Sequence, residues 1–309
     1  MKGTVMTREE MLADIKSGRR KKLILDTDTY NEIDDQFALT WCYLADNIDL
    51  IAVNAAPFNN PNRCSGYEDG MLKSLDEIKK VLSLIDPNYT TPVFEGSRTT
   101  ITELGGKPVD SPAARNIIKV VKESDEPVYV AGIGAITNVV SALLLDPSIK
   151  DNMCVIWQGT NEFRNTANPC DFNLAQDYMA GQHLLNIDVP LLISPSWCVT
   201  HVIEGNYEHY CILKGHNDIC DYLFSLIDWS YNLYNQAEDW THVVWDFGPP
   251  AILSCPECAT IETIPAPVFA DGSYYAQDST RRKILYLRAI DPKIVFDNAW
   301  KAFFSIDKK

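Results

Sequence analysis

The chain has 309 residues, 46% of them hydrophobic and 22% charged, an ordinary composition for a globular protein with a sizeable core. With 27 basic residues against 42 acidic ones, its formal charge of −15 argues against nucleic acid or an acidic membrane surface as partner, but not against a neutral small molecule. Its 9 cysteines are scattered, which fits a reducing cytoplasm, and no apolar run has membrane-spanning length or the form of a signal-peptide core.

In chain order, residues 7–20 read as an amphipathic helix, acidic then basic, with Thr7 and Glu10 forming a capping box. We expect residues 1–20 to be a peripheral helix preceding a single domain over residues 21–309. Leu23-Ile24-Leu25 is too short and too branched for a helix of its own and reads as a buried strand. It runs into Asp26-Thr27-Asp28. The period of two puts both aspartates on one side of the strand end, where open α/β sheets bind ligands. Asp34 and Asp35 then open a helix over residues 34–45. Four aspartates within ten residues repel one another, and no Lys or Arg lies between Lys22 and Arg63. The simplest neutraliser is a hard divalent cation with oxygen ligands.

A strand over residues 49–57 leads into an amide-rich loop at 58–62, where Asn59 is a candidate pocket residue. Residues 66–84 keep the helical period; a short strand at 92–96, a loop at 99–111 and a helix at 113–123 follow. The strand and Gly-rich turn over 127–134 precede a helix from Thr137-Asn138 to Leu145, and 153–157 is the next strand. Residues 158–174 form a long polar loop carrying Asn161, Glu162, Asn165, Asp171 and Asn173, and a loop of that length in a compact domain is usually functional. A helix at 177–185 and a strand at 189–194 complete the alternation. This pattern implies a Rossmann-like α/β fold, a mostly parallel central sheet with helices on both faces.

The last third is less regular. Residues 219–240 look helical, with an aromatic stripe through Tyr222, Trp229 and Tyr234 that suits core or subunit contact. Asp246, set between Trp245 and Phe247 before a helix at 251–254, should be buried and should need a cation or several donors. Residues 283–288 and 293–297 read as late strand and turn elements. Cys255 and Cys258 form a lone CxxC pair with no second pair to complete a zinc site.

Three of these stretches together resemble the nucleoside hydrolases, the inosine–uridine-preferring N-ribohydrolase family. Asp26-Thr27-Asp28 with Asp34-Asp35 is similar to the family's acidic DTDxGxDD signature. Gly134-Ala135-Ile136-Thr137-Asn138 is similar to its GPLTN turn. Asp171-Phe172-Asn173 stands where the family has EFN, with Asp177 matching a following Asp, and Trp245-Asp246 stands in place of His-Asp. The likeness runs over residues 21–300.

The resemblance implies the nucleoside hydrolase fold and an enzyme that cleaves the N-glycosidic bond of ribonucleosides, to ribose and free base, with a metal-bound water. It implies Asp28 as metal ligand and general base, Asp35 as a ligand through both oxygens, and the Thr137 carbonyl and Asp246 as the remaining ligands. Asp26 would support them. Asp34, Asn165, Asp171 and Asn173 would hold the ribose hydroxyls. The cation would be Ca²⁺, with Mg²⁺ second; an all-oxygen set disfavours Zn²⁺. A cytoplasmic homo-oligomer, dimer or tetramer, acting on a small nucleoside or N-riboside, completes the expectation.

The chain departs from the family pattern in four places. Five residues, 29–33, separate Asp28 from Asp34, about two more than the pattern has, so Asn31 or Glu32 could enter the site. Asp171 is one methylene shorter than the family's Glu. Trp245 replaces a His that can protonate the leaving base, and residues 90–105 contain no HGxxGLG-like stretch. His201 and His242 are candidate replacements for the acid, and Trp245 is a candidate for stacking on a base. Two rival readings remain. One is a haloacid-dehalogenase-like Mg²⁺ phosphohydrolase with Asp26 as nucleophile of a DxDxT motif. The other is a non-catalytic nucleoside- or ribose-binding protein.

Overall fold

Leu23 and Leu25 face one apolar layer while Ile24 faces another, so the first strand is buried on both sides. The structure is a computed structural model and describes residues 6–163, 170–270 and 274–306. The chain enters through α1 (Arg8–Lys16) and then alternates through β1 (Lys21–Thr27), α2 (Asp35–Leu44), β2 (Ile48–Ala55), α3 (Tyr67–Ile85), β3 (Val93–Phe94), α4 (Pro112–Glu123), β4 (Val128–Gly132), α5 (Thr137–Leu145) and β5 (Met153–Gln158). Helices α6 (Phe172–Gln176) and α7 (Tyr178–Asn186) precede β6 (Leu191–Ser194). A small hairpin, β7 (Glu204–Asn206) with β8 (Thr241–Val243), encloses α8 (Tyr207–Tyr210) and α9 (Asp218–Leu233). Then come α10 (Gly248–Ser254), β9 (Ala259–Pro265), the paired β10 (Val268–Ala270) and β11 (Tyr274–Ala276), β12 (Lys283–Ile290) and α11 (Pro292–Phe303).

The main sheet has the order β3-β2-β1-β4-β5-β6-β12-β9. Its pairs are parallel except β12 with β9. Helices α2, α3, α9, α10 and α11 cover one face, through residues such as Phe37, Ile78, Leu223, Leu253 and Phe296. Helices α4, α5 and α7 cover the other, through Ile117, Val139 and Leu184. From β1 the chain winds outward to β2 and β3, then returns to place β4 on the opposite side of β1. The carboxyl ends of β1 and β4 therefore form a topological switch point, the place where such sheets leave a crevice.

Four local expectations meet a different outcome or a sharper one. The capping box at α1 is present, but the helix is docked: Met11 and Ile15 are fully buried and Asp14 accepts from Tyr129 and Arg19. The helix over 219–240 stops at Leu233, because Asn235 and Gln236 adopt left-handed φ values of 54° and 55°. Its aromatic stripe divides, Tyr222 packing half-buried against the core while Trp229 and Tyr234 stay exposed. Residues 293–297 are not strand or turn but the first half of α11, where Asp291 caps the amides of Lys293 and Ile294. The apolar face of α11 becomes periodic only when Val295, Phe296, Ala299, Trp300 and Phe303 are taken together, and residues 293–297 alone hold too little of it. No helix among the described residues is long and apolar enough to cross a membrane.

Candidate active site

A cavity of about 340 Å³ opens at the switch point. Its wall is drawn from positions at or just past the strand ends, with Asp28 after β1, Ile133 after β4, Gln158 closing β5, and Ser196 and Trp197 after β6. Asp246 reaches it from the single turn that leads into α10.

The loop after β1 is folded back on itself by the Asn31 amide, which donates to the Asp28 carbonyl at 2.7 Å. This delivers Asp34 to the N-cap position of α2 and Asp35 to its first turn. Asp34 makes no side-chain capping bond, so ordinary helix capping does not account for it. Its Oδ2 instead accepts the Asp246 amide at 3.3 Å. One carboxylate oxygen each from Asp34, Asp35 and Asp246 lies within 4.8 Å of the others, and all three side chains are buried. Asp35 also accepts from the Thr27 hydroxyl. Asp28 is buried beside them, and its Oδ2 has no hydrogen-bond partner among the described residues.

Burial lifts the Asp28, Asp34, Asp35 and Asp246 carboxyls well above the usual range. Neighbouring charges add to it: Glu32 acts on Asp28 and Asp34, Asp28 on Asp35, and Asp34 on Asp246. No Lys or Arg is among the described residues lining the cavity. A buried all-oxygen donor set with an orphaned carboxylate oxygen, and with no basic side chain among the described residues around it, fits a hard divalent cation.

Asp26 lies off the cavity wall, fully buried. Its Oδ2 accepts from Asn138 Nδ2 at 3.0 Å, and burial pushes its carboxyl up to about 7 against that bond. Asn138 is the organiser behind the site. Its Oδ1 accepts the Ser97 amide and hydroxyl, both at 2.8 Å, while Nδ2 also donates to the Ala55 carbonyl. Thr137 opens α5 and gives its hydroxyl to Asp177; it is not among the described residues lining the cavity. Asp177 in turn accepts the amides of Ile101 and Thr102, tying the loop after β3 to α5 and α7.

The profile of the family described as inosine-uridine preferring nucleoside hydrolase matches residues 23–271. The chain belongs to this family. A pyrimidine-specific ribonucleoside hydrolase, RihA, from Enterobacter sp. (strain 638) is 25% identical over 244 residues, 71% of this chain and 73% of that protein. Among solved structures, a purine-preferring ribonucleoside hydrolase from Gardnerella vaginalis superposes with a TM-score of 0.74 at 17% identity, covering 92% of this chain and 98% of its own. A plant nucleoside hydrolase gives 0.72 at 19% identity, over 93% and 100% of the two chains. These likenesses show that the nucleoside hydrolase fold spans nearly the whole protein.

In this nucleoside hydrolase the sugar-binding candidates are brought together only in part. Asp171 and Asn173 line the cavity with Asp34. Asp171 caps α6, its Oδ1 accepting from the Leu174 amide and its Oδ2 from the Ser196 hydroxyl. Asn173 spends both amide hydrogens on the Ile133 and Gln158 carbonyls, so what it has left to offer a ligand is an acceptor oxygen. Asn165 lies outside the described residues.

Asn31 and Trp245 are on the wall, together with Glu32 from the longer first loop. Asn59 is not: its amide donates to Gln176, and it borders a separate surface depression beside Glu68 and Arg98. His201 sits against the Trp197 ring, centroids 5.1 Å apart, and is not among the lining residues. His242 lines a neighbouring groove, and burial pushes its imidazole down to about 4.

Trp197 is the functional candidate that sequence reasoning passed over. It is 51% exposed at the cavity rim, its ring centroid 6.3 Å from that of Trp245. Its position just past the carboxyl end of a parallel strand was the available signal.

Proposed function

We propose that this nucleoside hydrolase cleaves the N-glycosidic bond of ribonucleosides, releasing ribose and the free base, with a divalent cation, Ca²⁺ before Mg²⁺. The observation that carries the proposal is the trio of buried acids Asp34, Asp35 and Asp246, with Asp28 buried on the same cavity wall and no Lys or Arg among the described residues lining it. Asp28, Asp35 and Asp246 would hold the cation, with the Thr137 carbonyl as the remaining protein ligand. When bound, the cation supplies Lewis acidity that lowers the pKa of water. The Asp28 carboxylate takes the proton from the attacking water as general base.

Asp34, whose Oδ2 is already engaged by the Asp246 amide, is assigned to the sugar with Asp171, Asn173 and Asn165. Cleavage builds positive charge on the ribose ring, and the surrounding carboxylates favour that charge where it develops. The leaving base lies toward the rim, where Trp197 and Trp245 offer ring faces for stacking. No histidine is among the described residues lining the cavity, which favours stacking over a histidine acid as the grip on the leaving group.

The phosphohydrolase alternative needs Asp26 as nucleophile, and the buried, Asn138-bound Asp26 off the cavity wall speaks against it. The test is a panel of purine and pyrimidine ribonucleosides and phosphate esters, followed by reducing-sugar and phosphate release with and without a chelator. Chelator-sensitive ribose release supports the proposal. Tight binding with no sugar released would leave the protein a nucleoside-binding relative.

A further inference from the structure

The sugar site lies among buried carboxylates, so the base must project toward the rim of the cavity. Trp197 and Glu32 form part of that rim; both are exposed and both line the cavity. Glu32 and Asn31 also line a second groove of about 570 Å³, so the long loop after β1 is a wall shared by the two. Its other walls include Arg63, Trp229, Leu233, Tyr234, Trp240 and His242. Trp229, Leu233 and Tyr234 are 48%, 59% and 62% exposed, a run of large apolar side chains left open where α9 stops.

Arg63 is held in place at the groove. Its Nε donates to the Tyr30 carbonyl at 3.0 Å, and its guanidinium lies 4.7 Å from the Tyr30 ring centroid and 5.2 Å from that of Trp229. Its two Nη groups have no hydrogen-bond partner among the described residues. His242 Nε2 is buried and likewise without a partner among them.

We propose that this groove is a subsite for an extended leaving base, an N-riboside whose heterocycle carries a ring-bearing, largely apolar arm. The inference rests on the ribonucleoside-hydrolase reading above. The heterocycle stacks on Trp197 and Trp245, with its outer edge toward Glu32. The arm crosses Glu32 and packs on Trp229 and Tyr234, where an acceptor atom on it meets Arg63.

The test uses matched pairs with the full-length, cation-loaded enzyme, adenosine against N6-benzyladenosine and uridine against 5-benzyluridine. The pair whose parent is cleaved faster decides. The arm-bearing substrate should have kcat/KM about tenfold above its parent. Trp229→Ala and Arg63→Ala should each cut that ratio at least about fivefold. Calorimetric binding of the benzylated free base should weaken in the same variants.

Equal kcat/KM for parent and arm-bearing substrates, or a ratio untouched by both variants, overturns the subsite. Trp229→Ala altering only the sedimentation behaviour would make the groove a contact between copies instead. If no nucleoside releases ribose, the hydrolase reading itself fails and the subsite with it. If the parents are cleaved and the arm brings nothing, only the subsite fails.

Discussion

Gly134 packs directly against the Asp28 carboxylate, so close that a Cβ at position 134 would stand 2.6 Å from Asp28 Oδ1. The turn after β4 thus seats the proposed general base from below. Gly134→Ala should displace Asp28 and lower kcat/KM on the order of 100-fold, since misplacing a catalytic group by about 1 Å costs that much. Kinetics alongside a thermal melt check this; unchanged kcat/KM would show that Asp28 has room to move.

Asp28→Asn should remove turnover on every nucleoside, by at least about 100-fold, the scale of a lost general base. The same substitution removes one member of a repelling buried cluster. The chelated variant should therefore melt above chelated wild type at pH 8. A variant that retains wild-type turnover would show that the base lies elsewhere.

The acids also set a pH dependence for the chelated protein. An unfolded Asp titrates near its ordinary value of 3.8, whereas folded Asp26 keeps its proton to about pH 7 and Asp28, Asp34, Asp35 and Asp246 sit well above the ordinary value. Between these values the folded state binds more protons than the unfolded state. Stability is then fully present below about pH 4 and is lost as pH rises through the folded values. The chelated enzyme should melt several degrees higher at pH 5 than at pH 8, and added Ca²⁺ should raise the midpoint more at pH 8, where fewer protons compete. A chelated midpoint that climbs from pH 5 to 8 would contradict the buried cluster.

Asn138→Ala should destabilise the protein by about 3 kcal/mol, because the buried Ser97 amide and hydroxyl lose their shared acceptor and Asp26 loses a donor. Urea unfolding measures it. A loss under about 1 kcal/mol would mean that water takes over these bonds.

Trp245→Ala and Trp197→Ala should each lower kcat/KM by about 10- to 100-fold, the scale of one lost stacking partner for a base. Inhibition by free ribose should be left nearly unchanged. Equal losses in nucleoside turnover and ribose inhibition would place these rings on the sugar instead.

Much of this protein was legible in one dimension because the signals are local. The burial of Leu23, Ile24 and Leu25, the Thr7–Glu10 cap and the alternation of strand and helix each depend on neighbours a few residues away, and the cost of burying Asp246 follows from Trp245 and Phe247 beside it. The gathering of Asp246 with Asp34, 212 residues apart, was decided by sheet order, which returns β4 beside β1 and brings the turn before α10 over the switch point. The same long-range packing put Trp197 at the rim, left Asn59 and His201 off the wall, and joined Arg63 to Trp229 across the groove. Periodicity records which face of an element is apolar. Which elements share a crevice depends on contacts between distant parts of the chain, and those exist only once the sheet is assembled.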